Sequence, residues 1–333
     1  YMARVAFLMD RVMGRAGLEG RAFVAMLSSV ACAVPGIMAT RTLPSARDRL
    51  ATMMTAPLMT CSARLPVYTL LIGLLVPPGA RLGPIGLQGL VMFGLYLLGA
   101  VAAMTAAWVF KHVLKGKGPA LPFYMEMPSY RMPGLRELGR AVWDACASFV
   151  RRVGGIILVM SLLIWALLSL PVASHDEMAA AGIDLDDQVA VAAFQLDQSA
   201  AAAVGKTIQP IFEPLGFDWR ITVGLVGAMG AREVFVATIS QVSSAENPDD
   251  PGATLAEMTW LSGPHAGDRL FTPGVVAALL IYFAFALQCT STIATLRRES
   301  GSWKWPAIAF GYMTGLAWVS AWLVKLLVEA LLG

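Results

Sequence analysis

Three cysteines stand inside apolar stretches of this chain: Cys32 in "SSVACAVPGIMAT", Cys61 in "MTCSARLPVY" and Cys289 in "LQCTSTIA". A thiolate is a soft ligand suited to late first-row divalent metals, and a bound ion itself stabilises the deprotonated thiol. Oxygen ligands are close in sequence: the hydroxyls of Ser62, Thr290 and Ser291, and the main-chain carbonyls freed where Pro35-Gly36, Pro57 and Pro66 interrupt their helices. Buried cysteine also packs as a small hydrophobe, which is the competing reading of all three. Only three His occur, none in an apolar stretch, so imidazole is not the main ligand. Arg232-Glu233 in "GAMGAREVFVAT" is a charged pair in an apolar segment, a candidate to face a cavity or to snorkel from a helix end; Arg64 poses the same choice. Glu233, Ser62 and Thr290 therefore join Cys32, Cys61 and Cys289 as candidate metal ligands. Met53, Met54 and Met59, among 18 Met, read as core filler, and Cys146 lies apart beside a basic stretch.

The elements that must position these residues are membrane helices. Of 333 residues 57% are hydrophobic and 14% charged, with mean hydropathy +0.65, against about 25% charged in soluble domains. Apolar runs at 85–110, 153–170, 273–296 and 306–331 approach or exceed the roughly 20 residues a crossing helix needs. The net charge of +3 matters less than where the Lys and Arg fall. Residues 1–21, 41–49, 111–152 and 297–304 are basic and read as cytoplasmic. Residues 172–199 and 245–272 are acidic, holding Asp and Glu against Arg269 alone, and read as outward loops.

This charge map sets the path. Residues 22–40 are flanked by cytoplasmic arginines on both sides, so they form a re-entrant hairpin with its tip near Cys32 to Gly36. Residues 50–76 cross as a broken helix and 85–110 cross back, completing a first repeat over 1–110. A cytoplasmic linker, 111–152, leads to a connecting transmembrane helix and acidic outward loop, 153–199. The second repeat, 200–333, has a hairpin at 221–243 and helices at 273–296 and 306–331, in the same order but from the opposite face. "ACAVPGIMAT" (31–40) aligns with "MGAREVFVAT" (229–238), and "CSARL" (61–65) with "CTSTI" (289–293). Inverted repeats with discontinuous helices characterise secondary transporters, whose sites lie near the midplane. The expected fold is thus an all-α polytopic membrane protein.

Other classes find no support in the residues. "AAAAVGKT" ends like a phosphate-binding loop, but the glycine required five positions before Gly205 is Ala200. No HExxH, GxSxG or triad spacing suggests a hydrolase, and the basic residues mark topology without the aromatic interleaving of a nucleic-acid surface. The four cysteines do not form a disulfide framework. No cleavable leader is read at the start, and the opening on Tyr1 suggests a piece of a longer protein.

The long stretch "GLEGRAFVAMLSSVACAVPGIMATRTLPSARDRLATMMTAPLMTCSARLPVY", with "PFYMEMPSYRMP", "PIFEPLGFDWR", "AREVFVAT" and "RRESGSWKW", resembles the membrane region of the ferrous-iron transport protein B family. The resemblance implies a multi-pass permease of the bacterial inner membrane that carries Fe(II) as substrate and is not itself an enzyme. It implies two gate regions whose cysteines map onto Cys32, Cys61 and Cys289, and a fold similar to concentrative nucleoside transporters. Family members carry a GTP-binding domain and helical spacer ahead of the first gate, so GTP is not expected to bind this chain. Membrane lipid, that missing region, small accessory proteins and further copies of the chain are the implied partners, and nucleic acid is not. One motif departs: the family's "GCNVP" is "ACAVP" here, placing Ala33 where an Asn could offer oxygen. The alternatives are a nucleoside-transporter-like solute carrier and a non-conducting assembly module.

Overall fold

The computed structural model of the chain describes residues 2–15, 17–77, 79–113, 134–170, 191, 194–195, 198–230, 232–246, 255, 258–260 and 267–332. Most of the outward acidic loops, and the "PFYMEMPSYRMP" motif, lie outside the described residues. Among the described residues, four helical paths are long and apolar enough to cross a membrane: Ala46–Leu75, Leu87–Val113, Pro273–Ser300 and Lys304–Leu331. The protein is thus a helical, multi-pass membrane protein. It divides into two compact units: unit 1 holds residues 1–63, 93–156 and 291–313, and unit 2 holds 64–92, 157–290 and 314–333.

Unit 1 opens with α1 (Met2–Arg15), α2 (Ala22–Ala31) and α3 (Ala33–Ala39). Between α2 and α3 only Cys32 leaves the helical conformation, at φ −159° and ψ 137°. The expected break at Pro35-Gly36 is therefore displaced: Pro35 is the third residue of α3, where a missing N–H is harmless because first-turn donors lack intrahelical partners anyway. The chain folds back tightly at this point. A Cβ on Gly36 would lie 1.8 Å from Ser29 Oγ and 2.8 Å from Ala25 O, so only glycine permits this approach of α3 to α2.

The path 46–75 is broken as expected. α4 (Ala46–Thr55), capped by Ser45 Oγ accepting from Asp48 N, gives way to a 3₁₀ turn at Ala56–Leu58. After Thr60 and Cys61 a second 3₁₀ turn, Ser62–Arg64, leads into α5 (Leu65–Leu75), where Pro66 sits in the first turn. Unit 2 then has a two-residue antiparallel pair, β1 (Arg81–Leu82) with β2 (Ile85–Gly86), before α6 (Leu87–Val113). Within unit 1, α6 buries Leu95, Gly99, Ala103 and Ala107, one face at a spacing of four. Gly99 lies over the break: its Cβ would be 2.5 Å from Thr60 Oγ1, which itself donates to Leu95 O at 3.4 Å.

α7 (Leu135–Phe149) and α8 (Gly155–Ser169) are joined by a π-helical turn at Val150–Gly154. The expected crossing at 153–170 is helical to Ser169, with residues 153 and 154 in the π-helical turn and the remainder in α8. In unit 2, α9 (Ala200–Phe212) packs on α10 (Trp219–Gly227) through Gly205, whose Cβ would meet Val223 Cγ2 at 2.5 Å. Asp218 caps α10, accepting from Ile221 N at 2.9 Å and from Arg220 Nε at 2.6 Å. After the turn at Ala228–Gly230, α11 (Glu233–Glu246) packs back on α10, with Phe235 against Gly224.

The run 273–296 was expected as one helix and is two. α12 (Pro273–Phe285) stops, residues 286–289 are not helical, and α13 (Thr290–Ser300) resumes. No proline or glycine marks this break; its cause is tertiary and is described below. The second half of α14 (Lys304–Leu332) packs in unit 2, where Trp318 Nε1 donates to Ile211 O and Lys325 Nζ to Pro214 O.

Candidate functional site

Each of the three singled-out cysteines occupies a helix break: Cys32 between α2 and α3, Cys61 between α4 and α5, and Cys289 between α12 and α13. All three are half-buried, whereas Cys146 is exposed on α7. Cys32 and Cys61 belong to unit 1 and Cys289 to unit 2.

In unit 1 the two breaks adjoin. Pro35 has no N–H to give to the carbonyl four residues back, that of Ala31. Ser62 Oγ donates to this carbonyl at 2.8 Å. The residue after Cys61 is therefore bonded to the residue before Cys32. In unit 2 the corresponding pair is Thr290, which follows Cys289, and Met229, which aligns with Ala31. Thr290 N donates to Met229 O at 3.0 Å. Positions matched by the sequence alignment thus make the same connection in both halves, hairpin turn to broken helix, once through a side chain and once through the main chain.

That bond also explains the unexpected break. In a continuous helix Thr290 N would donate to Ala286 O. Here it serves Met229, while Ala286 O accepts from Arg232 Nη2 at 2.8 Å and Phe283 O from Arg232 Nη1 at 3.1 Å. Arg232 is 5% exposed, so it does not snorkel; it caps the end of α12 from the turn of the second hairpin. Glu233, its neighbour, is exposed at the start of α11, where a carboxylate opposes the positive end of the helix dipole. Arg64 is fully buried.

Oxygen atoms are plentiful at these breaks and carboxylates are not. Among the described residues no group of three or more His, Cys, Asp or Glu is assembled that could hold a metal ion. Ser62 is exposed and already donates to Ala31 O. Thr290 Oγ1 is buried without a hydrogen-bond partner, as is Oε1 of Gln288, a residue not singled out above although it is the sole amide side chain in 273–296.

A separate ionic node lies in unit 1. Glu299, near the end of α13, receives Arg41 Nη2 at 2.5 Å and Arg49 Nη2 at 3.1 Å, and its side chain is 4% exposed. It joins the end of the first hairpin and the start of α4 to α13. In the loop between α1 and α2, Glu19 has its carboxyl pushed above the usual value, by burial first and then by Asp48 and Asp10, with Arg21 opposing.

A multi-pass helical protein with matched hairpin turns and broken helices belongs to the class of membrane gate proteins. Residues 1–75 and 150–303 match the Gate family, described as nucleoside recognition, and residues 92–144 match the ferrous iron transport protein B C terminus. The chain belongs to the ferrous-iron transport protein B family, of which it represents the gate-bearing membrane region. It is 40% identical over 327 residues to a protein of Leptospira interrogans serovar copenhageni named Fe(2+) transporter FeoB, covering 97% of this chain and 45% of that one. A Porphyromonas gingivalis protein named as a fusion of Fe(2+) transport protein A and Fe(2+) transporter FeoB is 37% identical over 343 residues, covering 97% and 40%. A Staphylococcus aureus relative, also named Fe(2+) transporter FeoB, is 34% identical over 320 residues, covering 96% and 42%. The chain therefore spans less than half the length of these relatives. No solved structure matches it.

Proposed function

We propose that this chain is the ferrous-iron permease module of a bacterial inner-membrane importer, in which Fe(II) passes helix breaks lined by Cys32, Cys61 and Cys289. One observation carries the reading: Ser62 to Ala31 and Thr290 to Met229 make the same connection in the two halves, each beside a cysteine. Paired hairpins and broken helices of this kind build midplane ion sites in secondary transporters, where irregular backbone is tolerated because it lines a wet cavity. On this reading the two halves are inverted repeats of a re-entrant hairpin and a broken helix, an architecture like that of concentrative nucleoside transporters. Ser62 and Thr290 add oxygen near the thiols, and Glu233 offers an approaching cation a carboxylate in water.

GTP binding, on the same reading, belongs to the part of the complete protein outside this chain. The fused Fe(2+) transport protein A of the Porphyromonas gingivalis relative favours a small accessory partner. The description nucleoside recognition favours a second reading, an organic-solute carrier. The scarcity of amide and acidic side chains in the crossing segments speaks against it, since such a solute needs hydrogen-bonding groups.

Two measurements test the proposal. Radiolabelled Fe(II) uptake into proteoliposomes holding the complete protein should fall to background in Cys61→Ser and Cys289→Ser and persist in Cys146→Ser. Uptake of nucleosides in place of iron, or iron uptake indifferent to both thiols, refutes it. Single cysteines at Arg269 and Ser302, in a background lacking the native four, should react with impermeant reagent from outside and from the cytoplasm respectively. Labelling of both from one side rules out the inverted repeat.

A further inference from the structure

The non-helical residues 286–289 lead into Thr290, and two side-chain oxygens there are left unsatisfied. Gln288 is 4% exposed and its Oε1 has no partner, and buried Oγ1 of Thr290 has none. Each such oxygen costs about 1–3 kcal/mol when nothing meets it. Native structures retain few of them. Two within three residues, one on each side of Cys289, mark a place for a ligand. Part of the main chain beside them is already engaged: Arg232 occupies the carbonyls of Phe283 and Ala286, and Thr290 N serves Met229. The side chains offer a guest lone pairs on an amide oxygen, a hydroxyl oxygen and a sulfur; a hydrogen-bond donor gains little from the sulfur, a weak acceptor, whereas a metal cation can use all three.

The donor set also fixes the kind of cation. Amide and hydroxyl oxygens are hard and neutral, while the thiolate is soft. The mixture suits divalent first-row metals of intermediate character and gives less advantage to ions that want thiolates throughout. Arg232, buried on the adjoining turn, opposes a bound cation and keeps the hold weak enough for release, as conduction requires.

We propose that Gln288 is a cation ligand that sets selectivity in the second break, coordinating the transported divalent metal through Oε1 together with Cys289 Sγ and Thr290 Oγ1. This rests on the reading of Cys289 as a metal ligand. The metal then meets at least two oxygens for one sulfur there, so removing the amide penalises oxygen-preferring ions more than sulfur-preferring ones.

The test measures Mn(II) and Zn(II) affinities of the purified chain in detergent, by competition with a fluorescent chelator. Metal-free melting is recorded for every variant as a check on folding. Gln288→Leu should weaken Mn(II) about tenfold, equivalent to about 1.4 kcal/mol, and Zn(II) much less. Cys289→Ser should do the reverse, and Gln288→Glu should tighten Mn(II). If Gln288→Leu does not fold, Gln288→Glu decides alone. Unchanged Mn(II) affinity in the folded Gln288 variants, with Zn(II) still weakened by Cys289→Ser, overturns the assignment of Gln288 and leaves the thiol. Zn(II) affinity indifferent to Cys289→Ser overturns the thiol reading on which the proposal stands.

Discussion

Replacing Gly36 by Ala asks how closely the first hairpin must shut. The new Cβ would stand 1.8 Å from Ser29 Oγ and 2.8 Å from Ala25 O, far inside van der Waals contact. Ser29 can rotate away, but only by giving up its 2.8 Å bond to Ala25 O, worth about 1 kcal/mol. The Ala25 carbonyl is part of α2 and cannot move without α2, so overpacking adds about 1–3 kcal/mol. Against this, Ala gains about 1 kcal/mol over Gly in helix propensity, because Gly36 lies within α3. The balance is a loss of about 2 kcal/mol. Denaturant unfolding in detergent, followed by tryptophan fluorescence, measures it. A second substitution, Ser29→Gly, should recover about half by removing the nearer clash. An alanine variant as stable as the wild type would mean that α3 does not pack on α2 at this point, and the hairpin geometry would have to be abandoned.

Arg232→Met removes the donors to Phe283 and Ala286 and frees Phe283 O to accept from Leu287 N; slower hydrogen exchange at the Leu287 amide, reporting an α12 that extends toward α13, is the expected outcome. Arg41→Ala and Arg49→Ala should each destabilise by about 1 kcal/mol: Arg41 grips the Glu299 carboxylate with two bonds, from Nε at 2.9 Å and Nη2 at 2.5 Å, but is 52% exposed, whereas Arg49, 33% exposed, makes one carboxylate bond at 3.1 Å and one to the Glu299 carbonyl. Glu299→Ala should exceed either, and added salt should narrow the differences between these variants in thermal unfolding. Glu19 holds its proton more tightly in the folded chain than its ordinary value of 4.5 allows, so its contribution to stability is full below that pH and is lost as pH rises through the higher folded value. Glu19→Gln should therefore raise the melting temperature at pH 7 and leave it nearly unchanged at pH 4; a lowered value at pH 7 contradicts the burial of this carboxyl.

Much of the architecture was legible because the membrane imposes it. Long apolar runs flagged Leu87–Val113 and Lys304–Leu331, and Pro57 with Pro66 flagged the break that holds Cys61. The break at Cys32 was expected a few residues late, because a proline reads as a stop although in the first turn of a helix it is harmless. The break at Cys289 carried no local signal. It depends on Arg232 and Met229, more than fifty residues away, which take over the bonds that would have closed the helix. Arg232 illustrates the same limit: its sequence position allowed a cavity, a snorkel or an ion pair, and only its carbonyl partners decide. Gln288 could have been found, since an amide alone in an apolar run is a signal in itself.

Cobalt(II) titration of the purified chain, read in the near ultraviolet, tests most directly whether the thiols at the helix breaks bind metal. Thiolate ligation releases protons, so the account predicts a sulfur-to-cobalt charge-transfer band that strengthens as pH rises. The band should weaken or vanish in Cys32→Ser, Cys61→Ser and Cys289→Ser and survive intact in Cys146→Ser. A wild-type chain that shows no such band at any pH, or a band lost only with Cys146, would contradict the account and return the three cysteines to packing.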